Sequence, residues 1–249
     1  MTTRPWRNAN RSRRPWRTLV SVSIQPLRRR RAPRGSGEQL RDEILDAATE
    51  LLLDTGHAKA VSIRSVAQRV GVTPPSIYLH FADKDALLDA VCARYFEKLD
   101  EEMQRVAADQ PSTIDVLRAQ GLAYVRFALK TPELYRIAMM SESRPGSDVD
   151  MALNTSAFVH MRNSVELLIE EGIYPPGDPT AKALELWTVA HGLSALLISR
   201  PYLPWGDVES FADRVMKSVC VGQIISGEID PDLPPTEAIA LLKGKLDGD

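Results

Sequence analysis

The sequence predicts an all-α protein, with a small N-terminal helical domain joined to a larger helical body. Three observations lead to this fold class. From Glu38 onward the apolar residues recur at helical spacing, and cap residues and glycines punctuate the apolar runs. No alternating β-branched run bounded by turns occurs, so no strand is expected. A hydrophobic content of 44% with 26% charged residues is typical of a globular protein and excludes wholesale disorder.

The charge distribution separates an N-terminal arm from the rest of the chain. Residues 1–34 contain eleven arginines and no acid, although the whole 249-residue chain carries a net charge of −2. We interpret residues 1–37 as a disordered, Arg-rich arm. Three alternatives stay open for it: an export signal at the Arg13-Arg14 pair, a basic arm that contacts DNA phosphates, and a segment that precedes the true start of translation.

The N-terminal domain is predicted over residues 38–83. Its first helix carries an apolar stripe from Leu40 to Leu51, and Gly56 follows the stripe. Caps and helix stops then delimit two shorter helices and the start of a long one, because Ser, Thr and Asp accept hydrogen bonds at N-caps and glycine ends helices. The residues that mark these boundaries are Ser62, Gly71, Thr73 with Pro74, and Asp83.

The larger body is predicted over residues 84–227, followed by a flexible tail over residues 228–249 that contains one frayed helix near Glu237–Leu242. Helix starts in the body are indicated by Ser112 with Asp115, by Thr131-Pro132, by Asp178-Pro179 and by Asp207. Loops are expected near Arg144–Asp148, Gly172–Asp178 and Pro201–Gly206.

A helix-turn-helix is indicated between Ser62 and Leu88. Ala67 lets two helices approach closely, Gly71 accepts the left-handed conformation of the turn, and Ile77 fills the shared core. This spacing alone is moderately specific.

The residues around and after the turn make the helix-turn-helix prediction more specific. They are Val70-Gly71-Val72 and then Ile77-Tyr78-x-His80-Phe81-x-x-Lys84-x-x-Leu87-Leu88. In these residues the sequence resembles the TetR family of bacterial transcriptional regulators, closely from about Glu38 to Cys92 and only in architecture beyond. The resemblance implies that the first three helices form a DNA-binding unit and that the protein works as a homodimer.

The DNA-binding candidates are polar or exposed groups on the two helices of this motif. A phenol, an imidazole and an ammonium at the end of a short helix suit phosphate oxygens, and helix starts add N–H donors. Base reading would fall to the side chains left on the groove face, which are Pro75, Ser76, Leu79 and, from the preceding helix, Arg64. By resemblance, Arg64 matches a position that can reach a base edge. Lys84 could instead pair with Asp83 or Asp85. The candidate set is Ser62, Arg64, Thr73, Pro75, Ser76, Tyr78, His80 and Lys84.

A second motif lies in the body, where Trp187, His191 and Gly192 form W-x-x-x-H-G. It resembles the WHG subclass of the same family. Trp187 and His191 are four residues apart on one helix face, so their rings are expected to stack. Gly192 is interpreted as permitting close helix approach, and His191 as either a core or a pocket residue.

An internal ligand cavity in the body is what the family resemblance implies, with a small-molecule inducer as partner. Aromatic and methionine side chains at helical spacing would form adaptable apolar walls, although the same pattern fits an ordinary core. The candidate lining residues are Tyr124, Phe127, Met139, Met140, Phe158, Met161, Trp187 and His191. The last two helices, around Leu186–Ser199 and Phe211–Ile225, are expected to pair across a two-fold axis.

Other classes of function lack support. The sequence has no P-loop, dinucleotide-binding glycine fingerprint, HExxH or GxSxG pattern, so no enzyme and no cofactor is expected. Cys92 and Cys220 lie far apart without metal-ligand spacing, which predicts no metal site and two reduced structural thiols. No apolar run is long enough to span a bilayer, and a cytoplasmic protein is expected.

The sequence therefore favours a TetR-like regulator that acts as a repressor. It would bind palindromic operator DNA as a homodimer and be released by a small apolar or amphipathic ligand. The alternative is a helical protein-interaction module that binds nucleic acid without ligand control.

Overall fold

The computed structural model describes residues 37–140, 157–227, 229–230 and 232–246. Within these residues there are ten α-helices and no strand, as the helical periodicity predicts. The helices are α1 (Gly37–Thr55), α2 (Ile63–Val70), α3 (Pro74–Tyr78), α4 (Lys84–Ala107), α5 (Thr113–Lys130), α6 (Pro132–Met140), α7 (Ala157–Glu170), α8 (Pro179–Ser199), α9 (Val208–Ser226) and α10 (Pro235–Leu246). A 3-10 turn, Ala58–Ala60, joins α1 to α2.

The first three helices form the head of the molecule, in which α1 packs against α2 and α4, and α2 packs against α3. The hydroxyl oxygen of Ser62 accepts a hydrogen bond from the backbone N of Ser65, and the hydroxyl oxygen of Ser65 accepts one from the backbone N of Ser62. Helix α2 therefore begins with a capping box. Gly71 ends α2 in the left-handed conformation at φ 78°, as the turn requires. Asp83 caps α4 through the backbone N of Ala86.

Two expected caps differ from the prediction. The Thr73 hydroxyl lies 3.0 Å from that of Ser76 and makes no cap hydrogen bond. The Thr131 hydroxyl donates to the carbonyl oxygen of Phe127 and so closes α5. In both cases the hydroxyl has a nearer partner than the one that sequence spacing suggests. The predicted cap at Ser112 is confirmed, because its hydroxyl oxygen accepts from the backbone N of Asp115 while the hydroxyl donates to the Asp115 carboxylate.

The body is organised around α5, which contacts α4, α6, α7, α8 and α9. Its face toward α9 is close-packed, since a Cβ added at Gly121 would lie 2.8 Å from the sulfur of Met216. Two ion pairs, Arg118 with Asp213 and Arg126 with Glu209, tie the same two helices at the surface. The buried residues of head and body form one continuous hydrophobic cluster.

The starts of α8 and α9 confirm the predicted caps. Asp178 accepts from the backbone N of Thr180 with Pro179 in the first turn, and Asp207 accepts from the backbone N of Ser210. The C-terminal segment departs from the predicted tail, because α10 runs over Pro235–Leu246 and so exceeds the frayed helix expected near Glu237–Leu242. Residues 1–36 of the Arg-rich arm and the loop expected near Arg144–Asp148 lie outside the described residues.

Cys92 and Cys220 are both buried and form no disulfide. Burial raises the pKa of the Cys92 thiol to about 12 and that of Cys220 to about 11, so both stay protonated at neutral pH. Among the described helices, none combines the length and the apolar character needed to traverse a bilayer.

Candidate nucleic-acid interface and ligand cavity

Helix α3 presents one edge to solvent and buries the other. Ile77 and Phe81 are buried in the head and anchor the short helix. Tyr78 is 54% exposed and the neighbouring Leu79 is 84% exposed. Pro75 is exposed beside them. The edge that the sequence assigns to DNA is therefore on the surface, where it is free to enter a groove.

The start of α2 carries two further residues of the predicted DNA-binding set. Ser62 and Arg64 are both exposed. The Ser62 hydroxyl already accepts from the backbone N of Ser65, so it retains only part of its hydrogen-bonding capacity for another ligand. Arg64 presents five donors in a planar fork, which matches the two acceptors on the major-groove edge of guanine.

Three polar residues predicted to contact DNA are held by local contacts. Thr73 and Ser76 bond to each other through their hydroxyl groups. His80 is half-buried, and its backbone N donates to the carbonyl oxygen of Ile77, which closes the turn after α3. These residues shape the end of α3 as well as presenting polar atoms.

The alternative interpretation, in which Lys84 pairs with Asp83 or Asp85, is wrong. Its ammonium donates to the carbonyl oxygen of Ala58 at 2.7 Å, across 26 residues of sequence. This bond fastens the 3-10 turn to the start of α4. An ammonium has three donors, so two remain for other acceptors.

Two other cations of the head are committed to acids on α1. Arg69 lies 3.0 Å from both Glu50 and Asp54, and these carboxylates raise the pKa of its guanidinium. Arg94 bonds to Asp46 at 2.8 Å. These pairs fix α2 and α4 against α1. Arg64 and Lys84 are the cations of the predicted DNA-binding set, and neither is paired with an acid of the described chain.

In the body, His191 lies at the centre of an aromatic cluster. Its Nδ1 atom is 2.8 Å from the hydroxyl oxygen of Tyr135 and 3.2 Å from that of Tyr124. The predicted stacking partner, Trp187, lies with its ring centroid 5.9 Å from that of His191, at a tilt of 48°. Burial lowers the pKa of His191, so its imidazole is neutral at pH 7.

A cavity opens beside this cluster, between α4, α5, α7 and α8. The cavity is tight, because the centre of a water-sized sphere can occupy only about 20 Å³ of it, and part of it is open to solvent. Its walls are almost wholly apolar, with the side-chain amide of Gln120 as the main polar group. The described lining residues are Leu99, Met103, Gln120, Gly121, Tyr124, Ala157, Phe158, Met161, Trp187 and Ala190.

Comparison with known families is decisive. A model described as "Bacterial regulatory proteins, tetR family" matches residues 44–91, and one described as "Tetracyclin repressor-like, C-terminal domain" matches residues 117–219, which include the W-x-x-x-H-G motif. Together the two matches span more than half of the chain. The chain belongs to the TetR family. TetR-family regulators are non-enzymatic DNA-binding transcription factors, so this chain is a DNA-binding regulator and not an enzyme.

Solved structures share the fold of this TetR-family chain. A protein of unknown function from Rhodococcus sp. RHA1 is 25% identical with a TM-score of 0.66, over 74% of this chain and 95% of that one. A TetR-family transcriptional regulator from Pectobacterium atrosepticum is 20% identical with a TM-score of 0.59, over 76% and 95%. RolR in complex with resorcinol is 17% identical with a TM-score of 0.58, over 80% and 97%.

Among curated proteins, the chain is similar to the nucleoid occlusion factor SlmA. The match with SlmA of Vibrio campbellii is 28% identical over 97 residues, which is 39% of this chain and 50% of that protein. SlmA of Vibrio cholerae matches at the same identity and coverage. The chain thus spans about half the length of the curated relatives it matches.

The structure of this TetR-family regulator brings together part of the predicted ligand-binding set. Four of its members line the cavity: Tyr124, Phe158, Met161 and Trp187. His191 is not among the described lining residues, but its Nδ1 atom contacts the hydroxyl of Tyr124. Phe127 and Met139 are not among the described lining residues and pack instead against the hydrophobic core. Phe127 stacks on Tyr95 at 4.9 Å between ring centroids. The side chain of Met140 lies outside the described residues.

Sequence reasoning missed Tyr135. This residue lies on α6 and reaches His191 across 56 residues, and no spacing rule predicts such a contact.

Proposed function

We propose that this TetR-family protein is a cytoplasmic repressor that binds a palindromic operator as a homodimer and is released by a small apolar or amphipathic ligand. The observation that carries the DNA-binding part is the exposed edge of α3, where Tyr78 and Leu79 stand out from a helix anchored by Ile77. Since side chains on this edge are not spent on the core of the head, they are available for phosphates and base edges.

A homodimer is supported by the outer face of α8 and α9. Five large apolar side chains are exposed on these helices: Leu184, Leu196, Val221, Ile224 and Ile225. Gly192 and Gly222 lie on the same helices, and a Cβ added to either would meet nothing within 4 Å. The close helix approach expected at Gly192 therefore does not occur among the residues that the structure describes, and a partner helix would supply it. A two-fold pair would place two α3 helices in major grooves about one helical turn apart.

Ligand control is supported by the route from the cavity to the head. Tyr135 lies on α6, and α6 packs against both α1 and α4. Residues of α6 also face the 3-10 turn across a surface groove, where Glu133 and Arg136 lie opposite His57 and Lys59. A ligand that displaces the aromatic cluster would shift α6 and change the spacing of the two heads by a population shift. The likeness in fold to RolR with resorcinol supports a small aromatic ligand as one candidate.

The test is a binding titration of the protein onto its own upstream DNA, followed by fluorescence anisotropy at several salt concentrations. Tyr78→Phe removes one exposed hydroxyl, and Lys84→Ala removes one cation. If both groups bind phosphate, each variant weakens binding to every DNA sequence alike, and Lys84→Ala also lowers the slope of log affinity against log salt by about one.

Lys98→Ala is the matched control, because Lys98 is exposed on α4 about 21 Å along the same helix from Lys84. It should leave both affinity and slope unchanged. Since Lys84→Ala also removes the bond to Ala58, its thermal unfolding is measured alongside, and Tyr78→Phe serves as the variant without a structural role. Unaltered DNA binding in both test variants would refute the site.

A second candidate function is a protein-interaction module whose helical body contacts another protein, binds nucleic acid through its basic arm and needs no small ligand. Two observations favour it: the cavity is narrow, and the curated relatives are named nucleoid occlusion factors. Deleting residues 1–37 separates the candidates. Retained preference for one DNA sequence supports the operator-binding repressor, and loss of all DNA affinity supports a module that binds nucleic acid through its basic arm.

A further inference from the structure

Helix α10 is an apolar helix that the rest of the described chain leaves uncovered. Ala238, Leu242 and Leu246 recur every four residues and so share one face of the helix, beside Ile239. Ile239 is 52% exposed, and none of the described α10 side chains belongs to the hydrophobic cluster of head and body. The match to the C-terminal family domain ends at residue 219, so α10 is a feature that the family likeness does not explain.

A helix of this length needs a surface to pack against. Its 12 residues are too few for stability in water by themselves, because most of the stability of a short helix in a protein comes from the packing of its apolar face. Lys243 and Lys245 flank the apolar face, where their aliphatic stems widen it while the ammonium groups remain in water. Helix α10 therefore has the composition of a packed helix without the packing.

A groove with uncovered apolar walls lies between the start of α5 and the end of α9. It has a volume of about 330 Å³ and is open on one side, and its apolar walls include Ile114 and Val221. Val221 is 41% exposed, and Ile224 and Ile225 continue the exposed apolar surface over the last turn of α9. Residues 227–234 join this end of α9 to α10. An uncovered apolar groove and an uncovered apolar helix thus lie only one short linker apart in the sequence.

The charges at the rim of the groove complement those of α10. Two of the four rim charges pair with each other, which leaves Asp115 and Lys217 without an ionic partner among the described residues. Helix α10 carries Glu237 in its first turn and Lys243 in its last turn. Opposite charges therefore meet at both ends when α10 lies along the groove with its last turn beside Asp115.

The linker does not fold α10 back onto the groove of its own chain. Gly227 is pressed against the loop before α8, since a Cβ added there would lie 2.3 Å from the Cβ of Pro175. The backbone N of Leu233 then donates to the carbonyl oxygen of Asp230, which forms a turn just before α10. With the linker held in this way, the groove and α10 both remain exposed. The groove is therefore open to a helix from another molecule.

We propose that α10 of one copy of this chain lies in the groove between α5 and α9 of a second copy, and the reverse, so that the homodimer exchanges its C-terminal helices. The inference rests on the proposed homodimer and adds the surface that receives α10. Val221 belongs both to the groove and to the outer face of α8 and α9, so the groove borders the proposed dimer face. Eight linker residues span at most about 29 Å, which exceeds the width of two helices. Two-fold symmetry makes the contact twice.

Cross-linking in mixed dimers tests which copy α10 contacts. Two differently tagged full-length chains are co-expressed, one with Leu242→Cys and the other with Val221→Cys, and are treated with a short bis-maleimide. A covalent product that carries both tags is expected, because the two thiols come from different copies. The wild-type chain gives the background reaction, which should be low because Cys92 and Cys220 are buried.

Leu167→Cys in place of Val221→Cys is the matched control. Leu167 is exposed on α7, away from the groove, so this pair should give no product with both tags. The proposal is overturned if Val221→Cys gives no such product, or if Leu167→Cys gives as much. It is also overturned if a chain with both Leu242→Cys and Val221→Cys forms the cross-link only within itself.

Matched substitutions on the two faces of α10 test its contribution to the dimer. Leu242→Asp places a carboxylate on the apolar face, whereas Ala240→Asp places one on the opposite, exposed face at a similar cost in helix propensity. The dimer dissociation constant, measured by sedimentation, should rise at least tenfold in Leu242→Asp, because a buried carboxylate is unfavourable, and should stay unchanged in Ala240→Asp.

The same measurement separates the two proposals. Equal dissociation constants for wild type and Leu242→Asp would refute the exchange of α10 while leaving the proposed homodimer in place. A wild-type chain that sediments as a monomer would refute both.

Discussion

The hydroxyl oxygen of Tyr135 lies 2.8 Å from Nδ1 of His191 and also donates to the carbonyl oxygen of the same residue at 3.1 Å. The two residues are 56 positions apart and lie on α6 and α8. One phenol thus holds both the ring and the backbone of the histidine in the W-x-x-x-H-G motif. The contact joins the helix beside the head to the helix that carries the proposed dimer face.

The first prediction concerns pH. Because burial lowers the pKa of His191 in the folded protein, the unfolded chain binds a proton as pH falls through about 6.5 while the folded chain does not. The stabilisation from neutral His191 is therefore complete above this pH and is lost below it. In His191→Asn this dependence should disappear, so the wild-type advantage in free energy of unfolding shrinks between pH 8 and pH 5.

Urea unfolding at a series of pH values checks this prediction. His57→Asn is the control, because His57 is exposed in the head and far in sequence from the aromatic cluster. It should keep the wild-type slope of stability against pH. Parallel curves for wild type and His191→Asn would show that His191 does not contribute.

The second prediction concerns the turn between α2 and α3. Gly71 adopts φ 78°, where a Cβ is strained, so Gly71→Ala should lower the free energy of unfolding by about 1–2 kcal/mol. DNA affinity should fall as well, since the turn sets the angle of α3. Gly244→Ala, inside α10 with open space at its Cβ, is the control and should cost nothing. Chemical denaturation provides the measurement.

The third prediction assigns base reading to Leu79, which directly follows α3 and whose side chain is 84% exposed. An apolar side chain in the major groove recognises the methyl group of thymine. Replacing the contacted thymine by uracil should weaken wild-type binding by about 0.8 kcal/mol, the value of one buried methyl group. The same replacement should leave Leu79→Ala unaffected, and anisotropy with an operator scanned by uracil measures both. Identical uracil penalties in the two proteins would exclude the contact.

The fourth prediction concerns the dimer face. Leu196 is 51% exposed on α8 and Ile225 is 41% exposed on α9. A buried, unpaired cation opposes association, so Leu196→Arg and Ile225→Arg should each yield a folded monomer. Operator affinity should fall at least tenfold, because two linked heads bind far more tightly than one. Sedimentation velocity gives the mass, and circular dichroism verifies the fold.

Leu167→Arg tests whether the effect is local. Leu167 is 49% exposed on α7, outside the proposed dimer face, so it matches Leu196 in exposure but not in position. This variant should remain dimeric and bind DNA normally. A dimer that survives both substitutions on α8 and α9 would place the interface elsewhere.

The sequence predicts the fold well where the cause is local. Ser62, Gly71 and Asp207 act within three or four residues of themselves, and each has the predicted role. The Trp187–His191 contact follows from helical spacing in the same way. Lys84 shows the limit: its nearest charges in sequence are acids, but folding places a carbonyl oxygen of the 3-10 turn closer.

The candidate cavity is predicted only in part, for the same physical reason. Aromatic and methionine spacing marks side chains that point inward, but it does not distinguish cavity walls from solid core. Trp187 and Phe127 illustrate the two outcomes, since one lines the cavity and the other packs on Tyr95. The neighbour that decides each case lies on a different helix.

The central position of α5 has a consequence for how new inducer specificities can arise. This helix contacts five others, so a substitution on its buried faces disturbs several interfaces at once. Phe158 and Met161 on α7 border the cavity from a helix with fewer neighbours. Variants selected for new effectors, in nature or in the laboratory, should therefore carry most of their substitutions on α7. The buried residues of α5 should stay unchanged.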